Sequence, residues 1–115
     1  MKLEIAHREL SPGVVVVTLK GRLMLGPESA QVEQLVARLL SDGCMKFVFD
    51  MESVTHIDST GIGYCIASLN RTMQAGAKLS MAAATGQVRE AFRVTRLDRM
   101  FRFFDQLAEA QAAVQ

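Results

Sequence analysis

Two patterns typical of β-strands flank a turn sequence near the start of the chain. Residues 2–5 alternate between charged and apolar side chains, and a β-branched apolar run covers residues 14–19. Between them stands Ser11-Pro12-Gly13, a sequence typical of a turn. The pattern predicts a hairpin of two strands.

Helical spacing follows the hairpin. Gly26-Pro27-Glu28 predicts a helix start, because proline suits the first helical position and an acid in the first turn complements the backbone dipole. Asp42-Gly43 is a typical stop. The apolar residues at helical spacing in between are Val32, Leu35, Val36, Leu39 and Leu40.

Strands and helices are predicted to alternate over the rest of the chain. Strands are expected at residues 45–49, where Asp50 ends the strand, at 78–82 and at 100–104, and a connecting bridge is expected at 51–58. Helices are expected at 60–75, where Gly76 ends the helix, and at 86–95. A last helix is expected after Asp105, which would be its N-cap. A hairpin followed by this alternation predicts an α/β fold. We expect a small mixed, mostly parallel β-sheet of four to five strands with about four helices.

Length and charge limit the classes of function. The chain has 115 residues, half of them apolar, which suits one domain over residues 1–115. Thirteen basic and twelve acidic side chains leave a formal charge of +1, so no global field favours direct binding of nucleic acid. The longest apolar runs are far below the roughly 20 residues that span a membrane. The amphipathic start fits no signal peptide, and we expect a cytoplasmic protein.

Two cysteines are the only candidates for thiol chemistry. Cys44 and Cys65 have no Cys-x-x-Cys partner or neighbouring histidine. We therefore expect both to be reduced and to lie in or near the core, without a metal.

The most informative segment runs from Val54 to Gly63. Here Ser59 and Thr60 follow Asp58 at a predicted helix start, and the small residues Gly61 and Gly63 keep the first turn open. Backbone N–H groups in a first turn lack intrahelical partners, so a serine there combines a hydroxyl with donors that stabilise an anion. The simpler alternative is that Ser59 or Thr60 only caps the helix.

The predicted helix 60–75 has two different faces. The face expected to point at the sheet carries Ile62, Ile66, Leu69 and Met73. The opposite face carries Tyr64, Ser68, Arg71 and Ala75. Tyrosine and arginine are typical interface anchors, so we expect Tyr64, Ser68 and Arg71, together with His56, to bind a partner. A solvated face is the alternative.

Catalysis is not expected. Ser59, His56 and either Asp50 or Asp58 could suggest a hydrolase triad, but a nucleophile elbow has glycine on both sides of its serine. Phosphate-binding glycine signatures are absent, because no third glycine or lysine follows Gly61 and Gly63. We expect no cofactor and no enzymatic activity.

The motif and its context resemble the STAS family, most closely its bacterial anti-sigma factor antagonists. The similar segments are Phe49-Asp50, Val54 to Gly63, the turn Gly21-Arg22-Leu23, and the tail motifs 88–92, 95–101 and 104–105. The family often has glycine where this chain has Arg96. A left-handed turn expected there is less comfortable on arginine.

The resemblance implies a phosphorylation switch. Ser59 would be the phosphoacceptor, Asp58 would assist its recognition and Thr60 would help, with Gly61, Gly63 and Asp50 supporting the site. The implied partners are an anti-sigma factor with serine kinase activity, bound while Ser59 is free, and a serine phosphatase. The alternative is a STAS subunit that regulates a lipid or anion transporter, with a permease as its partner.

A group of arginines lies outside this motif. Its members are Arg89, Arg93, Arg96, Arg99 and Arg102, and the first three are expected to share a helical face. A solvated face, a partner contact and an anionic ligand are all open interpretations.

Overall fold

A computed structural model describes residues 2–115. Its elements are β1 (Leu3–Ser11), β2 (Val14–Leu23), α1 (Pro27–Ser41), β3 (Lys46–Ile57), α2 (Ser59–Gln74), β4 (Lys78–Ala82), α3 (Gly86–Val94), a 3₁₀ turn (Leu97–Arg99), β5 (Phe103–Phe104) and α4 (Leu107–Val114).

The five strands form one mixed sheet. They lie in the order β1-β2-β3-β4-β5, with β1 antiparallel to β2 and every other neighbouring pair parallel. Parallel neighbours need crossover connections, and α1, α2 and α3 supply them in turn. The predicted α/β fold, with its mostly parallel sheet and four helices, is confirmed.

Each face of the sheet has its own core. Helices α1, α2 and α3 cover one face, where Phe47, Phe49 and Phe92 are fully buried. Helix α4 covers part of the other face and packs on Val16 and Val48. Adjacent residues of β3 therefore point into different cores, which explains why its first half is an almost unbroken apolar run.

Several predicted boundaries are confirmed. Helix α1 begins at Pro27 after the N-cap Gly26, and β4 covers residues 78–82 as expected. Helix α2 is followed by Gly76 with φ 72°, a left-handed conformation that glycine adopts without steric cost.

Strand β3 is much longer than predicted. The expected end at Asp50 and the bridge at 51–58 are wrong, because the strand continues to Ile57 beside β2. Its register with β2 shifts twice in this second half. Irregular pairing breaks the two-residue alternation, so the buried Met51, Val54 and Ile57 recur every third residue instead. Without strict alternation, the pattern resembles a loop.

The end of the chain differs from the prediction in two places. Strand β5 is limited to Phe103–Phe104, because Phe101 is buried against Phe92 rather than paired in the sheet. The predicted cap Asp105 is also wrong. Gln106 is the N-cap of α4, in a reciprocal capping box with Glu109.

The arginine group does not form one patch. Arg89 stacks on the Phe103 ring at 4.0 Å and Arg102 lies over the Phe104 ring at 5.6 Å, while Arg93 pairs with Glu90. Arg96 lies beyond α3, so it does not share a helical face with Arg89 and Arg93. Arg96 has a φ of 61°, which is the left-handed conformation expected at this position, where the family often has glycine.

Both cysteines are free, as expected. Cys65 is buried in the core, and burial raises the pKa of its thiol to about 12, so it stays protonated at neutral pH. Cys44 is half-buried. Across residues 2–115, none of the helices combines the length and apolar character needed to cross a membrane.

Substitution of Phe92 tests the packing of the core between the sheet and helices α1, α2 and α3. It is fully buried and makes edge-to-face contacts with Phe101 and Phe103 at centroid distances of 5.4 and 5.2 Å. Phe92→Ala should lower the free energy of unfolding by about 3–5 kcal/mol, measured by urea denaturation. Val94→Ala is the control, because Val94 is exposed and its loss should cost less than about 0.5 kcal/mol. Equal effects would contradict this packing.

Candidate functional site

Ser59 occupies the first position of α2. Strand β3 ends with the buried Ile57, Asp58 remains extended with φ −120° and ψ −176°, and the helix begins at the next residue. The Ser59 side chain is exposed and Thr60 is half-buried. The end of β3 therefore places Ser59 at the surface, at the first residue of α2.

Asp58, not a hydroxyl residue, caps the helix. Its Oδ1 accepts a hydrogen bond from the Gly61 N–H at 2.8 Å, and its Oδ2 accepts one from the Leu25 N–H at 3.0 Å. The alternative in which Ser59 or Thr60 provides the cap is wrong, because the carboxylate fills that role. The Ser59 hydroxyl is therefore not required to start the helix.

The same carboxylate connects two distant parts of the chain. Leu25 lies in the loop between β2 and α1, 33 positions before Asp58. The Asp58 N–H also donates to the Leu23 carbonyl oxygen at 3.4 Å. The loop after β2 and the start of α2 are thus held together by hydrogen bonds in both directions.

The hydrogen bonds decide the charge state of Asp58. Desolvation alone would raise its pKa, but the N–H groups of Gly61, Leu25 and Thr60 together outweigh it and lower the pKa below its ordinary value. Asp58 is therefore an anion at neutral pH. Its negative charge lies at the helix N-terminus, where the backbone dipole stabilises it.

The two glycines of the motif differ in their environment. An ideal Cβ on Gly61 would lie 1.9 Å from the Leu23 carbonyl oxygen, which is far inside contact distance. Glycine at position 61 is thus what lets α2 approach the end of β2. Nothing lies within 4 Å of a Cβ on the exposed Gly63. Gly63 is not required by packing, and it leaves an open surface one turn from Ser59.

His56 lies on the exposed side of β3, near the same end. Its Nδ1 is 2.9 Å from the Thr55 hydroxyl oxygen, and that hydroxyl donates to the Gly21 carbonyl at 3.2 Å. In the register of the sheet its neighbour on β2 is Arg22, which is also exposed. His56 therefore lies exposed close to the end of β3, two residues before Asp58.

The outer face of α2 is only partly as predicted. Tyr64 is half-buried, and Arg71 is paired with Glu33 of α1, with Nε 2.6 Å from the carboxylate. Ser68 is fully buried and its hydroxyl donates to the Tyr64 carbonyl at 2.8 Å, so its predicted role as a contact residue is wrong. Met73, expected in the core, is 65% exposed.

The error in these two faces has one cause. Helix α2 packs against α1 as well as the sheet, as the ion pair between Glu33 and Arg71 indicates. The buried stripe therefore turns toward α1. It contains Gly61, Ile62, Cys65, Ser68, Leu69 and Thr72.

Asp50 lies away from the Ser59 site. It pairs with Thr18 of β2, whereas Ile57 pairs with Leu23. Those five steps along β2 correspond to roughly 17 Å at the usual rise of a strand. Asp50 instead accepts a hydrogen bond from the Glu52 N–H at 3.1 Å. The structure does not bring it together with the other predicted site residues.

Leu25 lies next to the candidate site, although the sequence patterns did not single it out. It is 79% exposed, and its backbone is hydrogen-bonded to Asp58, the residue before Ser59. A signal was available, since Leu25 is an apolar residue in a loop just before the Gly26-Pro27 helix start and belongs to no predicted strand or helix. No cluster of His, Cys, Asp or Glu suited to a metal occurs within residues 2–115.

A STAS domain model matches residues 7–110 of the chain. The protein therefore belongs to the STAS domain family, as the motif around Ser59 predicts.

Solved structures share the fold at low sequence identity. An anti-sigma factor antagonist from Mycobacterium paratuberculosis is 22% identical, with a TM-score of 0.83 over 98% of this chain and 94% of that one. The Bacillus cell fate determinant SpoIIAA in its phosphorylated form is 16% identical, with a TM-score of 0.73 over 97% and 100%. A sulfate transporter family protein from Wolinella succinogenes is 19% identical, with a TM-score of 0.79 over 93% and 88%.

Asp58→Asn tests the double role of the carboxylate. Asparagine can keep the cap through its oxygen but cannot accept the second bond from Leu25, so the variant should lose up to about 1 kcal/mol at neutral pH. Because folding lowers the Asp58 pKa, its stabilising effect is complete above the unfolded-state pKa of about 4 and is lost as the pH falls through the folded-state value. Urea denaturation of both proteins should give curves that converge in acid. A constant difference would contradict this role.

The two glycines provide a matched pair of substitutions. Gly61→Ala should lower the free energy of unfolding by about 1–3 kcal/mol or more, because the new methyl group overlaps the Leu23 carbonyl. Gly63→Ala should raise it by about 0.5–1 kcal/mol, since alanine is the better residue inside a helix and the space is open. Thermal unfolding would distinguish them. A stable Gly61→Ala protein would show that the close approach is not needed.

Proposed function

We propose that this protein is an anti-sigma factor antagonist controlled by phosphorylation of Ser59. In the unmodified state it binds an anti-sigma factor that is also a serine kinase, and a sigma factor is released. Phosphorylation of Ser59 by that kinase ends the binding, and a serine phosphatase restores it. The protein acts as a cytoplasmic regulator of transcription and is not itself an enzyme.

One observation carries the proposal. The Ser59 hydroxyl is exposed at the first position of α2, while the cap of that helix is already provided by Asp58. A kinase can therefore modify the serine without breaking a hydrogen bond on which the helix depends. This separation between the structural residue and the modifiable residue is what a reversible switch requires.

The relatives support the assignment. One similar structure is described as an anti-sigma factor antagonist, and SpoIIAA, also similar, is described in a phosphorylated form. These properties belong to those proteins. Their fold and the serine motif of this chain make the same chemistry the best supported proposal here.

The chemistry of a phosphate explains loss of binding without loss of fold. Phosphorylation adds roughly 1.5 to 2 negative charges and three acceptor oxygens. The first turn of α2 tolerates an anion, and both oxygens of the neighbouring Asp58 are already held by N–H donors. A partner packed over Ser59 meets new bulk, a desolvation penalty and repulsion from its own acids. A loss of about 3 kcal/mol weakens binding more than 100-fold.

A second function is favoured by one comparison. The similar Wolinella succinogenes structure is described as a sulfate transporter family protein. A STAS subunit of a lipid or anion transporter would use the surface around α2 to bind a permease and would not need phosphorylation. Co-purification with a permease from detergent extracts, unaffected by substitution of Ser59, would favour this function.

Substitutions of Ser59 test the switch. Ser59→Ala should bind the anti-sigma factor as tightly as the parent and take up no phosphate, whereas Ser59→Asp should bind at least about tenfold more weakly. The measurement is titration against each purified anti-sigma factor of the source organism. Each protein is also incubated with the same anti-sigma factor and ATP, and mass spectrometry then identifies the phosphorylated residue.

Thr60→Ala is the matched control for the phosphosite. Thr60 is the neighbouring hydroxyl, so its variant should still be phosphorylated at Ser59. Both Ser59 variants should unfold at temperatures close to the parent, because the cap is retained. Tight binding by Ser59→Asp, or phosphate on another residue, would contradict the proposal.

A further inference from the structure

Leu25 is the most exposed large apolar side chain among residues 2–115. Its exposure is 79%, compared with 65% for Met73 and 63% for Val94. The two residues before it are not comparably exposed, since Leu23 is fully buried and Met24 is half-buried. The loop therefore presents one leucine to solvent.

The backbone of this loop is held in place. The Leu25 N–H donates to Asp58 Oδ2 at 3.0 Å, and the Met24 N–H donates to the hydroxyl of the buried Ser29 at 3.2 Å. Pro27 at the start of α1 restricts the chain on the other side. A side chain on a fixed backbone loses little conformational freedom when it is bound, which lowers the entropic cost of binding.

The position of Leu25 joins it to Ser59 in one surface. Asp58, which holds the Leu25 N–H, is the residue before Ser59. Gly63, one turn further along α2, is also exposed, and His56 is exposed near the end of β3 that leads to Ser59.

The charges around Leu25 define the chemistry of its partner. Leu25 lies on a cleft of about 260 Å³ whose lining includes Lys2 and Arg22, both exposed, and the half-buried Glu28. Two cations against one anion line this cleft. The Asp58 carboxylate, which holds the Leu25 N–H, is not part of the lining, and both of its oxygens already accept hydrogen bonds from backbone N–H groups. A complementary partner therefore carries acidic residues next to the contact.

We propose that Leu25 is the apolar anchor for the anti-sigma factor, entering an apolar recess whose rim is acidic. This inference rests on the proposed function and identifies which side chain supplies the affinity. It also accounts for the effect of phosphorylation. A phosphate on Ser59, beside the anchor, would face the acidic rim that Lys2 and Arg22 attract.

The anchor is tested by comparing two leucine variants with a distant control. Leu25→Ala should weaken binding of the anti-sigma factor at least about tenfold, because the apolar contact is lost. Leu25→Met keeps the apolar volume and should stay within about threefold of the parent. Met73→Ala removes a similarly exposed apolar side chain near the other end of α2 and should have less than a twofold effect, on the order of measurement error.

The acidic rim is tested separately with Arg22→Gln. The variant should bind more weakly at low salt, and the affinity should depend less on salt concentration than that of the parent. Unchanged or stronger binding would overturn the acidic rim. All variants are compared by isothermal titration with the anti-sigma factor that phosphorylates Ser59, after thermal unfolding has confirmed that they are folded.

The outcomes separate this inference from the proposed function. If the parent binds and Ser59→Asp does not, while Leu25→Ala binds like the parent, the anchor is wrong and the switch stands. If none of the organism's anti-sigma factors binds the parent or phosphorylates Ser59, the proposed function fails and the anchor fails with it. Loss of binding in Leu25→Ala, with Met73→Ala unaffected, supports both.

Discussion

The end of the molecule that carries Ser59 depends on the carboxylate of Asp58. One oxygen caps α2 through Gly61, and the other holds the loop after β2 through Leu25. Without this double contact, the helix start and the loop would be two independent surface features. The hydrogen bonds also keep Asp58 ionised by lowering its pKa, so the charge that organises the site is present at neutral pH.

Close packing makes the double contact possible. The Leu23 carbonyl leaves no room for a side chain at position 61. Because Gly61 has none, α2 can begin directly beside the end of β2. The long, irregular second half of β3 carries the chain to this point, beyond the place where β4 ends beside Asp50. The sheet is therefore extended on the β2 and β3 side, and the serine lies at the tip of that extension.

Sequence patterns predict the regular parts of this fold and miss the irregular ones. Strand β4 and the start of α1 follow from alternation, turn residues and helix signals, and the fold class follows from their order. The second half of β3 could not be predicted, because bulges remove the two-residue period on which strand prediction depends. Ser68 and Met73 were assigned to the wrong faces of α2, because the packing of α1 against it is a tertiary contact without a local signal.

The site divides its tasks among neighbouring residues. Serine and aspartate stand side by side in the motif, and both could cap a helix, so the sequence leaves their roles interchangeable. In the structure, Asp58 takes the structural role, and the hydroxyl of Ser59 remains at the surface. Because the cap does not involve the hydroxyl, a charge added at Ser59 under the proposed switch would change what the surface can bind more than it would change the stability of the helix. A residue that both capped the helix and received phosphate would couple the proposed signal to unfolding of the helix, and a division of the two roles between Asp58 and Ser59 would avoid that coupling.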